Sequence, residues 1–137
     1  MSTLVIDTIQ GKTTAGSINV RGEGSNNTNL QQGLAKVWVH FTGTGTPAID
    51  DSLNTSSITD TAQGRFAIVF NNDFSNANYA AAGMIGNNGN TTVGRSMHID
   101  NTPQTNLLEI RTVGNDSGAT GVTDDPNNMA TFHGDLA

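Results

Sequence analysis

No 11-residue window of this chain keeps apolar side chains at the i, i+3, i+4, i+7 spacing that an amphipathic helix requires. Gly, Asn or Thr interrupts nearly every one. Gly, Thr, Asn and Ser supply 61 of the 137 residues, types that favour turns and extended backbone over helix. Hydrophobic residues make up 34% and charged residues 13%. Disorder pairs low hydrophobicity with high net charge, and here the charge density is low as well. The composition therefore points to a turn-rich β protein whose surface is amide and hydroxyl.

Strand patterns recur where helix patterns fail. In Leu34 to Phe41, Ala35, Val37, Val39 and Phe41 share one face, while Leu34, Lys36, Trp38 and His40 share the other. The first face reads as core. The second mixes a charge with an amphipathic ring and reads as facing water or a neighbouring subunit. Phe66, Ile68 and Phe70 alternate with Ala67 and Val69 until Asn71–Asn72–Asp73 stops the run. Further strands are expected at Tyr79 to Ile85, around Met97 and Ile99, at Leu107 to Val113 and at Met129 to His133. Ile49, Leu53 and Ile58 suggest a short pair. Short strands separated by polar turns predict an all-β fold with an antiparallel β-sandwich body.

The first 33 residues differ in character. Leu4 to Ile9 and Ile18 to Val20 are short strand-like runs set among the turn and linker compositions Gly11 to Gly16 and Gly22 to Gln32. Residues 1–33 read as an extended arm and residues 34–137 as the body. The alternative is that Leu4 to Ile9 supplies an edge strand to the body.

Several function classes fall away. A net charge of −6 repels a phosphate backbone, so nucleic acid is not an expected partner. The longest apolar run, Ala80 to Ile85, is far short of the ~20 residues of a membrane helix, so no membrane insertion is expected. Met1 to Asp7 carries no basic residue ahead of its apolar ones and reads as lacking a secretory signal. Zero cysteines exclude disulfides, thiolate zinc sites and thiol nucleophiles. A small domain without such staples is marginal alone, so stabilisation by assembly is expected.

The chemical motifs are weak. Gly43–Thr–Gly–Thr–Pro–Ala48 has dinucleotide-loop spacing, but Asp50 and Asp51 follow where a helix should begin, so it reads as a Gly/Thr-rich turn. Gly11–Lys12–Thr13 lacks the earlier glycine of a phosphate loop, because Ile6 stands there. No G-x-S-x-G occurs. His40, His98 and His133 are scattered; symmetry could gather three copies of His40 at an axis, but a solvated or stacked histidine is the plainer reading. Asp50–Asp51 and Asp124 to Asn128 are hard-oxygen clusters without calcium-loop spacing, and Asx-turns explain them better. The sequons at Asn26, Asn54, Asn90 and Asn115 follow from composition. Trp38 and Tyr79 could stack on a sugar, although packing at a subunit interface suits Trp38 better. No catalytic residue, cofactor site or metal site emerges, and the chain reads as non-enzymatic.

Residues 33–83 resemble a segment common in tail-fibre proteins of bacterial viruses. Its pattern runs approximately A-W-V-N-F-x-G-T-G-T, then I-x-x-S-x-N-V-S-S-I-T-D-x-G-x-G, a strand, and N-Y. The matching residues are Trp38, Val39, Phe41, Gly43, Thr44, Gly45, Thr46, Ile49, Ser52, Asn54, Ser56, Ser57, Ile58, Thr59, Asp60, Gly64, Asn78 and Tyr79. His40 replaces the usual Asn, and Thr55 a frequent Val. Leu4 to Gly16 also resembles the start of marine-phage fibre and virion proteins.

The resemblance implies a homotrimeric virion protein, made in the host cytoplasm and displayed on the tail or capsid surface. Trp38, His40 and Leu34 would form the trimer interface. Leu4, Val5, Ile6 and Ile9 would dock the arm onto other virion proteins. The loops Gly86 to Asn90, Asn101 to Asn106 and Asn115 to Pro126 would form a tip that contributes to attachment through a host-surface glycan or protein. Family members carry long shafts ahead of this module, so the short arm implies a stubby fibre. The alternative is a head-fibre or capsid decoration (cement) protein with a purely structural role. A polysaccharide-cleaving enzyme would need paired carboxylates at a cleft, and no spacing here favours one.

Overall fold

The computed structural model describes residues 3–12, 17–21, 24–86, 94–116 and 119–137. The chain divides into two units, Met1–Leu34 and Ala35–Ala137. In the first, β1 (Asn19–Arg21) pairs antiparallel with β2 (Asn27–Asn29). Asn29 then caps a single turn, α1 (Leu30–Gly33), its side chain accepting a hydrogen bond from the Gln32 amide at 3.1 Å. The stretch expected to be linker thus carries a strand and a helical turn. Leu4 to Ile9 forms no strand, against its pattern. An isolated strand has no ladder to satisfy its amides, and among the described residues no strand pairs with this segment.

The second unit holds two antiparallel sheets, and the fold is all-β. The first sheet comprises β3 (Val37–Thr42), β4 (Ala48–Leu53), β7 (Ala80–Ile85) and β11 (Asn128–His133), in the order β4-β3-β11-β7. The second runs β10-β9-β6-β5, from β10 (Ala119–Val122), β9 (Leu107–Asp116), β6 (Arg65–Phe70) and β5 (Thr55–Ala62). β8 (Gly94–Ile99) pairs with β9 off this path.

Sequence alternation becomes burial alternation. Val37, Val39 and Phe41 are buried, and Trp38 and His40 are only half-covered. β11 sets Phe132, Ala130 and Asn128 opposite those three buried residues. β6 contributes Phe66, Ile68 and Phe70, and β9 contributes Leu108 and Ile110. The two buried faces meet in one core. Phe41 lies edge-on to Phe66, and Phe70 to Phe132, each at 5.3 Å between ring centroids. Burying each such side chain is worth about 1.5–3 kcal/mol, and edge-on ring pairs add about 1 kcal/mol.

β4 passes into β5 through Asn54 alone, so one run of chain changes sheets at a single residue. Asn54 takes φ 58°, a left-handed conformation that Asn tolerates better than most residues. Its side-chain oxygen accepts from the Asn72 amide at 2.8 Å, and its Nδ2 donates to the Asn72 carbonyl at 3.1 Å. This clamp holds the corner. The expected short pair around Ile49, Leu53 and Ile58 is therefore two full strands. Ala35 lies outside β3, and β10 was not expected at all.

Candidate functional site

The outer face of the β4-β3-β11-β7 sheet carries two rows across the strands. Register aligns Leu53, Trp38, Thr131 and Ala82 in one, and Asp51, His40, Met129 and Met84 in the other. Between them lies a shallow groove of about 520 Å³ lined by Trp38, His40, Asp51, Met84, Met129 and Thr131. Met84 is 71% exposed, and Leu53 and Met129 are exposed too. A bulge in β4 between the residues facing His40 and Phe41 adds Asp50 to the rim. Asp50 lies 3.9 Å from His40 Nδ1 and accepts from the Thr42 hydroxyl at 3.5 Å. The groove offers an indole, thioethers and methyls with an acidic rim, which suits packing against another apolar surface.

The other sheet's outer face is different in kind. Arg65 and Arg111 converge on Asp100, and Asn101 donates to Glu109 at 2.9 Å. His98 there bonds Ser96 at 2.9 Å. The ionic and amide groups of this face are paired largely with one another.

The expected interface residues are thus partly united. Trp38 and His40 share the groove. Leu34 closes the first unit and lies outside β3, so the alternation that aligned it with Trp38 does not reach it. Leu4 and Val5, expected to dock, are 80% and 87% exposed, and Ile6 and Ile9 are exposed as well. Sequence reasoning missed Met84, Met129 and Leu53 as partners of Trp38. Their period-2 positions were visible, but which strands lie side by side was not.

The candidate tip loops fare unevenly. Of Gly86 to Asn90, residues 87–90 lie outside the described residues. Asn101 to Asn106 is a loop, but it is stitched to the core: the carbonyls of Asn106, Thr105 and Gln104 accept from Phe70, Phe74 and the Tyr79 hydroxyl. Asn115 to Pro126 is a loop only in part, at residues 123–126. It forms the end of β9, then β10 paired back onto it, with residues 117–118 outside the described residues. Its small polar composition disguised the β10 strand as a loop.

The acidic cluster after β10 is structural. Asp125 is 1% exposed, pairs with Arg95 and accepts from the Thr123 hydroxyl at 2.8 Å. Its carbonyl accepts from the Gly43 amide at 2.8 Å and the Asn128 side chain at 2.6 Å. Asp124 accepts from the Gly64 amide at 2.6 Å. These oxygens are taken by the chain's own donors, and they bind both hairpin turns to the β10–β11 connection. Among the described residues no three His, Cys, Asp or Glu side chains gather as for a metal. Gly43 to Ala48 turns β3 into β4, with Gly45 at φ 70°, and no helix follows. Tyr79 faces inward rather than toward a sugar: its ring stacks on Phe74 at 4.4 Å, and burial pushes its phenol up to about 12.

Comparison with known protein families, curated proteins and solved structures returns no match for the chain.

Proposed function

We propose that the chain is a non-enzymatic virion structural protein of a bacterial virus. In this reading it is a short, tail-fibre-like β-sandwich module that forms a homotrimer through the Trp38 face and contributes to host attachment. The observation that carries the reading is the asymmetry of the two outer faces: one ionic, the other an apolar groove around Trp38. Exposed apolar surface of this kind marks an interface, and a second copy is the cover the fibre resemblance implies. Three copies on one particle would convert weak receptor contacts into avidity.

Light scattering on the purified 14.3 kDa chain should give three times that mass, and Trp38→Ser should return it to monomer. The trimer, added to permissive cells before the virus, should slow adsorption in a dose-dependent way. A monomer at all concentrations refutes the assembly. A trimer that never slows adsorption refutes the attachment role and favours the decoration reading, for which the exposed Leu4, Val5, Ile6 and Ile9 supply the docking residues.

A further inference from the structure

We infer that Leu4–Ile9 of one copy adds as an extra strand to the free edge of β7 in a second copy. β7 pairs on one side only, with β11. The Gly86 amide donates to the Asn127 carbonyl at 2.8 Å, so the backbone groups of Ala80, Ala82 and Met84 also point at β11. Those of Ala81, Gly83 and Ile85 point away, and among the described residues no strand hydrogen-bonds to them, although β8 runs close by with Met97 packed against Gly83.

Edges of this kind are usually guarded. β4, at the far side of the same sheet, has a bulge with Asp50 and Asp51. β5, at the edge of the second sheet, has two register shifts and Asp60. β7 reads Ala-Ala-Ala-Gly-Met-Ile, with no charge, no proline and no register shift. Next to it lies an apolar hollow of about 60 Å³ lined by Ala81, Gly83, Met97, Ile99, Leu108 and Phe132.

The donor is equally unpartnered. Leu4 and Ile6 fall on one side of an extended run, and Val5 and Ile9 on the other; all four are exposed, and among the described residues no ladder holds them. Added beside β7, the first pair would enter the hollow and the second would extend the Trp38 face past Met84. Charge selects the arm over the body as the visitor. Residues 35–137 hold ten acidic and four basic side chains, whereas residues 1–34 hold two of each. A neutral arm therefore approaches a net-negative body against less long-range repulsion than a second body does. The inference rests on the proposed self-association.

The experiment uses the full chain and two variants. Deleting residues 3–9, and separately Ala81→Pro, should each weaken self-association about tenfold or more on dilution, with the far-ultraviolet circular dichroism of the body kept. Ala81→Pro removes an amide that faces the open edge, where proline is tolerated. The chain has no cysteine, so a tagged Val5→Cys chain mixed with an untagged Ala82→Cys chain and oxidised should give a mixed disulfide. If Ala81→Pro does not fold, the deletion and the mixed disulfide decide. Unchanged association after the deletion, with no mixed disulfide, overturns this inference while leaving the Trp38 interface standing. A wild-type chain that stays monomeric overturns both.

Discussion

Gly45 and Gly64 make a matched pair for testing what holds this fold in shape. Both sit in hairpin turns with left-handed backbone, at φ 70° and φ 63°. A Cβ on Gly45 would meet nothing within 4 Å. A Cβ on Gly64 would lie 2.6 Å from the Thr123 amide nitrogen and 3.0 Å from the carbonyls of Thr112 and Thr123. Alanine at either position carries the left-handed penalty of about 1 kcal/mol. At Gly64 the backbone must also give way. The hydrogen bonds in its path are Thr112 N–H to the Gly64 carbonyl at 2.8 Å, Gly64 N–H to Asp124 at 2.6 Å, and Thr123 N–H to the Thr112 carbonyl at 3.1 Å. At about 1 kcal/mol each, weakening all three adds about 3 kcal/mol. Gly45→Ala should therefore cost about 1 kcal/mol and Gly64→Ala about 4 kcal/mol, a large part of the roughly 5–15 kcal/mol of a typical domain. Urea unfolding followed by Trp38 fluorescence measures both, provided the denaturant slopes agree. Costs that agree to within about 0.5 kcal/mol would refute the steric reasoning, since φ alone would then explain both.

Tyr79 is the only tyrosine, so tyrosinate absorbance reports on it alone. Its folded value of about 12 exceeds the ordinary 10.0, so its stabilisation is complete below pH 10 and lost as pH rises toward 12. A native midpoint near 10 would remove this account of the ring. Arg95→Met leaves Asp125 buried without its ion-pair partner and should cost about 3–5 kcal/mol in urea unfolding. Adding Asp125→Asn should recover part of that loss, and no recovery means the pair is not the cause. With six net negative charges on each body, self-association should strengthen on raising salt from about 0.05 to 0.5 M, as the Debye length contracts. Sedimentation equilibrium reads this, and dissociation by salt would point to an ionic interface instead.

The strands legible in the sequence were those with large side chains inside. Val37, Val39, Phe41 and Phe66, Ile68, Phe70 alternate cleanly and become the core. β4, β5 and β10 were faint for a shared physical reason: apart from Ile49, Leu53, Ile58 and Val122 their residues are Thr, Ser, Asp, Ala and Gly, so backbone pairing holds much of their length. Leu4 to Ile9 failed the other way, with an apolar pattern and, among the described residues, no strand paired to it. Trp38 and His40 could be read as one face because they lie two apart on one strand. Met84 and Met129 could not be joined to them, since adjacency of β3, β11 and β7 is set by pairings between distant residues, as far apart as Val37 and Phe132. Nor was Asp125 readable as buried; Arg95, thirty positions earlier, and the Thr123 hydroxyl together make that burial tolerable.

The residues that carry the fibre resemblance have a common structural explanation. Gly43 is buried, and a Cβ there would lie 2.7 Å from the Phe66 ring and 2.9 Å from the Asp125 carbonyl. Gly45, Asn54 and Gly64 are the three described positions with positive φ, and all three belong to the quoted pattern. Val39 and Phe41 are core, and Tyr79 closes the aromatic end against Phe74. These are requirements of turns, of one corner and of packing, so a chain needs them in order to fold this way whatever it touches. A motif of this composition can carry a fold from one protein to another, and it says nothing by itself about a receptor. Recognition, if the chain performs it, must therefore reside in side chains the pattern leaves free. On the groove those are Asp51, Met84, Met129 and Thr131, set around Trp38 by strand register, together with His40, which departs from the pattern's Asn. Exchanging them should alter partners without altering the core, whereas exchanging Gly43 or Gly64 should do the reverse.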